Sequence, residues 1–525
     1  MEFLHFMIPN PPQLALCCPR YIMNSRHYLW PLLALPLVLI EGCENSKDSR
    51  APTSARPPTV ATPPAPAMVA LSPTHRLVPA ERLTALDRYV AAPDPAFFWR
   101  LATNTVLPSG VTVSSVDLTS QSWLTTNEVN RIVWRHWLSI YRPTVVTHST
   151  ALLFITGGNN KDTKPPKPSE EMARIAVATQ SVIAELKQVP NQPLIFVGDG
   201  KERGEDEILA FGWAKFLKTG DTRWIARFAM TKAAVRAMDT VTAFCNTADG
   251  GSTKVDTFVV AGGSKRGWTT WATAEVDRRV VAIAPIVIDM LNLEPSFLHH
   301  WRAYGFWAPA VGDYVAEGVM DWQGTPEYAA LLKIEDPFAY RDRLTLPKLL
   351  INACGDQFFL PDSSQFYFDQ LQGPKFLRYV PNADHSLKGS DAYETLLAWH
   401  HVTINQTPKP RFDWTHPIPG VAKVTLTDRP KAVKLWQATN PHRRDFRLET
   451  LGAVWTSTDL TPNANGELTV SIDAPSAGWT AYMVECTYDV GAPTPLKLTT
   501  DVRVVPDTYP YPAPQPAGHK GFLSK

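Results

Sequence analysis

From Leu83 to about Gln406 the chain alternates short apolar runs with longer amphipathic stretches. Two early runs, Val111–Leu118 and Val133–Ile140, roughly alternate apolar and polar residues, the pattern of antiparallel strands buried on one face. Six later runs are almost wholly apolar: Ala151–Thr156, Leu194–Val197, Phe258–Ala261, Val280–Ile288, Leu349–Ala353 and Phe376–Val380. Such runs predict parallel strands covered on both faces. Helical stretches separate them at Glu205–Leu217, Trp224–Phe244, Gly267–Val276, Ser363–Leu371 and Tyr393–Ile404. Strands alternating with helices predict an α/β domain over residues 81–410, built on a mostly parallel sheet. Residues 291–343 break the rhythm and carry Trp301, Tyr304, Trp307, Tyr314 and Trp322. This insertion is either a cap over a pocket or a group of peripheral helices with their rings turned inward. From Trp414 short strands recur at 421–427, 432–438, 467–473, 480–488 and 496–505, separated by turns rich in Pro, Asn and Gly. They predict an Ig-like β-sandwich over 411–510, followed by an irregular tail, 511–525.

The first 80 residues follow another pattern. Leu29–Ile40 is an apolar run that follows Arg26 and His27. It is shorter than the ~20 residues that span a bilayer, and it reads as the apolar region of a signal peptide. Met23 is the expected true start, because residues 1–22 have no leading positive charge. Ile40-Glu41-Gly42-Cys43 resembles a bacterial lipobox, which implies lipidation of Cys43; Glu41 departs from the usual small residue. Residues 44–80 are dominated by Pro, Ala, Thr and Ser. They bury too little apolar area to offset ordering entropy and read as a disordered tether. The expectation is an exported lipoprotein touching a membrane only through its anchor, or otherwise a periplasmic or secreted protein.

Composition removes several function classes. Hydrophobic residues make up 44 % and charged residues 19 % of the 525, a globular composition. Lys and Arg number 51 against 50 Asp and Glu, so no field of one sign points to nucleic acid as a partner. Six cysteines form no disulfide framework in a chain of this length, and Cys245, Cys354 and Cys486 read as buried small hydrophobes. No G-x-G-x-x-G, H-E-x-x-H or C-x-x-C spacing is present, so neither a cofactor nor a metal is expected.

The chemistry-bearing segment is Val259-Val260-Ala261-Gly262-Gly263-Ser264-Lys265-Arg266-Gly267-Trp268. An apolar strand ends, a glycine pair turns, a serine stands at the tip and a helix follows, which is the context of a nucleophile elbow. Gly262 supplies the small residue needed before the nucleophile. Arg266 stands where a second small residue is usual, and the glycine comes one position later, at Gly267. A helix-capping serine is the bland alternative.

A serine hydroxyl needs a base. His385, five residues beyond the last predicted strand of the α/β domain, has the right order and the right loop. Asp356, just after the preceding strand, is the expected partner that orients the imidazole. Asp362 reads as a helix N-cap, Asp289 as a weaker rival, and Asp384 as facing away. The order Ser264, Asp356, His385 is that of α/β-hydrolases. The amide of Lys265 and one from Gly158 or Asn159 would form the oxyanion hole. Lys265 and Arg266 add positive charge there, unless Arg266 is a structural ion-pair partner.

With these residues in place the chain resembles the PhoPQ-activated pathogenicity-related protein family. The resemblance runs from about Leu83 to Pro506. It rests on ITGGNN (155–160), PNQPLIF (190–196), GEDEILAFGW (204–213), MTKAAVRAMD (230–239), VVAGGSKRGWTTW (259–271), GDQFFLPDSS (355–364), NADHSL (382–387) and ATNPHRRDFR (438–447). It implies an exported protein similar to α/β-hydrolases with a C-terminal β-sandwich, and it says little of the substrate; with the insertion at 291–343 read as a cap, the expected fold is an α/β-hydrolase with an inserted cap and a C-terminal β-sandwich. Glu205 and Asp206 either favour a helix N-terminus or bind a cationic substrate group, and Trp301 is a candidate substrate contact. Arg443, Arg444 and Asp445 are expected to lock the sandwich to the hydrolase domain. The expected activity is hydrolysis of a small-molecule or polymeric ester or amide through a Ser-His-Asp triad and an acyl-enzyme. Esterase is favoured over an aminopeptidase-like serine peptidase. The alternative from another class is a signalling or surface-binding protein on the same scaffold.

Overall fold

The computed structural model describes residues 78–515 and 517–523. The expected start at Met23, the apolar run, Cys43 and nearly all of the tether lie outside the described residues. A short helix α1 (Ala85–Ala91) opens the fold, with Thr84 and Asp87 forming a capping box. Strands β1 (Phe98–Val106), β2 (Thr112–Ser122) and β3 (Val133–Arg142) pair antiparallel. Most of β1 is exposed, so it carries no apolar alternation by which its sequence would betray it.

Strand β4 (Thr150–Ile155) begins the parallel part. Helix α2 (Glu170–Thr179) follows, its amide end capped by the Ser169 hydroxyl, and leads to β5 (Ile183–Leu186). The apolar run Leu194–Val197 does not enter the main sheet. Its first two residues form β6 (Leu194–Ile195), which pairs only with β7 (Glu202–Arg203). Pro190 and Pro193 flank the run's approach and donate no ladder hydrogen bond; β5 takes the place expected for it.

Helices α3 (Glu205–Thr219) and α4 (Ala226–Cys245) then lead to β8 (Thr257–Gly263), α5 (Lys265–Val276) and β9 (Val280–Ile286). The insertion supplies α6 (Leu293–Tyr304), α7 (Gly312–Ala316) and α8 (Pro326–Glu335) before β10 (Lys348–Ala353). Ser363–Leu371 is not an α-helix but two 3₁₀ turns, Ser363–Phe366 and Phe368–Gln370. Tyr367 leaves helical geometry between them (φ −144°), and its hydroxyl donates to buried Asp289. Strand β11 (Lys375–Val380) and helix α9 (Ala392–Ile404) complete the α/β part.

The order across the sheet is β1-β2-β3-β5-β4-β8-β9-β10-β11. It reverses once, at β5–β4, and the six strands from β5 to β11 run parallel. This is an α/β-hydrolase fold. Alternate residues serve opposite cores: Leu153, Ile155 and Val260 pack with α3, α4 and α5, whereas Leu152, Phe154 and Val259 pack with α2 and α9.

The C-terminal part contains β12 (Phe412–Thr415), β13 (Val421–Leu426), β14 (Ala432–Asn440), β15 (Thr456–Asp459), β16 (Glu467–Ser471), β17 (Trp479–Tyr488), β18 (Leu496–Thr499) and β19 (Arg503–Val505). Strands β12-β13-β16 form one antiparallel sheet. The other joins the hydrolase sheet without a break, in the order β11-β18-β17-β14-β15. Phe412, Val424 and Val470 of the first sheet share a core with Val433, Val484 and Leu498 of the second. Among the described residues no helix is long and apolar enough to cross a membrane.

Candidate active site

The elbow forms because two glycines let three backbone segments meet. A Cβ on Gly262 would lie 2.8 Å from the Arg266 carbonyl oxygen, and one on Gly267 would lie 2.9 Å from the carbonyl oxygens of both Gly262 and Ile286. The second small residue is therefore required at 267, one place later than usual, and Arg266 is free to be large. Ser264 sits at φ 58°, ψ −128°, a conformation that costs a non-glycine residue ~1–3 kcal/mol. Hydrogen bonds from the Ser264 amide to the Ile286 carbonyl (2.8 Å) and from the Trp268 amide to the Ser264 carbonyl (3.1 Å) hold it there. The serine is half-buried, and no described residue engages its hydroxyl.

His385 and Asp356 meet on two neighbouring loops. The imidazole Nδ1 lies 2.8 Å from Asp356 Oδ2. Asp356 is 3 % exposed, and its other oxygen accepts the amides of Phe358 (2.7 Å) and Phe359 (3.3 Å). The carboxylate is thus fixed in place and kept dry, and it faces the Nδ1 edge of the imidazole, leaving the Nε2 edge turned away from it. Nε2 is buried and has no hydrogen-bond partner among the described residues. The Phe358 ring packs against the imidazole, 4.3 Å between centroids. Ser264 and His385 line one cavity of about 650 Å³.

The rival carboxylates are engaged elsewhere. Asp289 accepts the hydroxyls of Tyr367 (2.5 Å) and Tyr379 (2.6 Å). Asp384 caps its own turn through Ser386. Asp362 makes no side-chain cap for the turn that follows it. It is buried between His299 Nε2 (2.8 Å) and Arg444 Nη2 (2.5 Å). Burial alone would raise its pKa, but the charge of Arg444 and the facing His299 outweigh this and hold the carboxyl far below the usual range. Arg444 thereby ties the C-terminal part to the hydrolase part. Asp445 pairs instead with Arg447 (2.6 Å), and Arg443 is exposed.

Around the elbow the structure separates the expected oxyanion residues. The amide of Lys265 opens α5 and has no helical carbonyl four residues back. On the facing loop it is Gly157 that lines the cavity with Ser264, and its amide meets no described acceptor. Gly158 packs against the Gln188 side chain, and the Asn159 carbonyl accepts from Gln188 Nε2 at 2.8 Å. A Cβ on Gly157 would come 2.4 Å from Arg266 Nη2. Arg266 is itself held by the Val189 carbonyl (2.5 Å) and by both oxygens of Glu205 (2.6 and 2.8 Å). Lys265 Nζ reaches Glu205 (2.7 Å) and Asp206 (3.1 Å). The two acids therefore neutralise the cations that follow the serine. Burial would raise the Glu205 pKa, but the Arg266 hydrogen bonds and the neighbouring cations bring it down to about 2.

Trp301 does not line the space at Ser264. It packs on Trp307 (5.1 Å between centroids), which packs on Phe297 (5.9 Å). Phe297, Val311 and Tyr314 are the insertion residues that reach the serine's surroundings. Trp301 lies one helical turn past Phe297, too far along α6. Sequence reasoning did not single out Gly157, Phe297 or the ring pair Trp213 and Trp268. The tryptophans were in view, at the ends of the segments GEDEILAFGW and GGSKRGW. Among the described residues no group of three or more His, Cys, Asp or Glu could hold a metal ion.

The profile of the PhoPQ-activated pathogenicity-related protein family matches residues 86–447. The chain belongs to this family. Autocrine proliferation repressor protein A of Dictyostelium discoideum is 38 % identical over 455 residues, which is 81 % of this chain and 91 % of that protein. Among solved structures, an acetyl xylan esterase from Paenibacillus sp. R4 superposes with a TM-score of 0.43 at 14 % identity, covering 60 % of this chain and 91 % of that one. Acetyl xylan esterase 1 from Thermoanaerobacterium sp. JW/SL YS485 gives 0.42 at 13 % identity, covering 61 % and 92 %.

Proposed function

We propose that the protein is a serine hydrolase that cleaves an ester or amide through an acyl-enzyme. The observation that carries this reading is the dry Asp356–His385 pair, whose free Nε2 shares a cavity with a serine on a strained elbow. Ser264 Oγ attacks the substrate carbonyl carbon and passes its proton to His385 Nε2. The carbonyl oxygen takes negative charge facing the amides of Gly157 and Lys265. The bond to the leaving group breaks, and His385 gives that proton to the departing oxygen or nitrogen. Water then attacks the acyl-enzyme, its proton again travelling through His385, and the released acid restores Ser264. Lys265, Arg266, Glu205 and Asp206 form a neutral support beneath the oxyanion site and are not free charges for substrate. The same proposal has the protein exported, a reading supported by the apolar run at 29–40 and the lipobox-like residues that end at Cys43.

The test is covalent labelling with a tagged fluorophosphonate, beside turnover of activated esters. Wild type is expected to label, and Ser264→Ala and His385→Ala to lose labelling and at least ~10³-fold in turnover. Equal labelling of Ser264→Ala would remove the serine from the chemistry. A second reading draws on the name of the Dictyostelium relative, a proliferation repressor. In it this protein signals through its surface. That reading expects Ser264→Ala to act on cells as wild type does; loss of the cellular effect with loss of labelling would tie the two together.

A further inference from the structure

Among the described residues two spaces meet at Ser264, and His385 lines one of them. The wide one, about 650 Å³, is lined by Gly157, Ser264, His385, Leu387 and Tyr393 among others. The narrow one, about 30 Å³, is lined by Ser264 and Lys265 and walled by Trp213, Trp268, Phe297 and Tyr314. His385 faces the first and is not among the residues of the second. The chemistry assigns the two sides. The acid that protonates the leaving atom must stand within hydrogen-bond reach of it, so the leaving group occupies the space that holds His385. The acyl chain then extends to the other side of the serine.

We infer that the narrow space is the acyl pocket and that it admits an acetyl or propionyl group but no longer chain, making the protein a short-acyl esterase with a bulky leaving group. This rests on the serine hydrolase reading of the same site. The space has room for two to three water-sized spheres of ~10–15 Å³ each, enough for a methyl or ethyl. Three of the rings in its wall are pinned. Trp213 Nε1 donates to Glu335 Oε1 (2.7 Å), Trp268 Nε1 to the Glu335 carbonyl (2.6 Å) and the Tyr314 hydroxyl to Asp206 Oδ1 (3.1 Å). The Trp213 ring packs on Tyr314 (5.2 Å) and Trp268 (5.9 Å). Rings held by both packing and hydrogen bonds do not swing aside for a longer chain. The charges in the wall, Lys265 and Asp206, are paired with each other, so the pocket offers an apolar methyl no unpaired ion.

In the reaction Ser264 Oγ forms a bond to the acetyl carbon while the C–O bond to the alcohol breaks. The alcohol leaves with the proton from His385, and water completes the release of acetate. The experiment is the p-nitrophenyl ester series acetate, butyrate and octanoate on the full chain, with fluorophosphonate labelling of the same preparation. Wild type is expected to favour acetate over octanoate at least 100-fold in kcat/KM. Phe297→Ala, and the milder Val311→Ala should the first fail to fold, are expected to raise the butyrate-to-acetate ratio at least tenfold. Labelled protein that turns over octanoate within tenfold of acetate, that turns over no ester, or whose ratio neither variant moves overturns the acyl-pocket assignment alone. Protein that fails to label at Ser264 overturns the hydrolase reading beneath it.

Discussion

Asp289 is a carboxyl in an environment that favours its neutral form. Burial pushes its pKa up to about 8, against the pull of hydrogen bonds from Tyr367 and Tyr379. In the unfolded chain the same group ionises near ~4. Between those values the folded state holds one proton more than the unfolded state. Stability from this group is therefore full below ~4 and is lost as pH rises toward 8. Asn carries no titrating proton and still meets both tyrosine hydroxyls. The stability of wild type minus that of Asp289→Asn is expected to fall with rising pH, by at most ~1.4 kcal/mol per unit, and to level off above pH 9. Urea denaturation at pH 5, 7 and 9 measures it; parallel behaviour of the two proteins would refute the neutral carboxyl. The same residue shows why a triad acid cannot be chosen by strand order alone. Asp289 and Asp356 both follow strands of the parallel sheet, and only the loop geometry decides that Asp356 meets His385.

At the scale of elements, period and punctuation located most strands and helices, because their burial repeats along the chain. The elbow was legible for a stronger reason: a strand, two glycines, a serine and a helix leave few other conformations. What escaped were segments whose partners are distant. Strand β5 is four residues long and was outweighed by the more apolar Leu194–Val197. That Gly157, and not Gly158, lines the cavity with Ser264 could not be read locally, because the space at Gly157 is set by Arg266, more than a hundred residues away. The described part of the tail past Pro506 forms no helix or strand, and it is fastened to the inserted helices. The Tyr511 amide donates to the Arg302 carbonyl (3.2 Å), and the amides of Gly521 and Leu523 donate to Glu327 Oε1 (3.0 and 2.9 Å). The Phe522 ring covers Gly220 and meets Phe216 edge-on at 5.4 Å. A half-buried phenylalanine stabilises by ~1–2 kcal/mol, so Phe522→Ala is expected to lower unfolding free energy by about that amount. Chemical denaturation reads it, and an unchanged midpoint would show the strap to be idle.

The molecule as a whole has no seam where its two sheet systems meet. Strand β18 pairs with β11 at Leu377 and Thr499, and the Thr499 hydroxyl accepts the Tyr379 amide at 3.0 Å. Arg378 lies on β11 between Glu485 of β17 (2.5 Å) and Asp391 ahead of α9 (2.8 Å), with 2 % of its surface exposed. A chain ended at residue 410 would leave this guanidinium without Glu485 and turn β11 into a bare apolar edge, which is an aggregation template. The hydrolase part is therefore not expected to fold alone, although its sequence pattern ends cleanly there. Removing one member of a buried ion pair typically costs ~3–5 kcal/mol, because the other charge stays behind, whereas replacing both with apolar residues costs far less. Arg378→Met is expected to fall in that range, and Arg378→Met with Glu485→Met to recover most of the loss. If the two sheet systems act as one, calorimetry of the full chain shows a single transition that Arg378→Met shifts without splitting. Two separate transitions, or a double variant no better than the single one, would mean that the C-terminal sheets fold independently and that the shared strand order is only an adjacency.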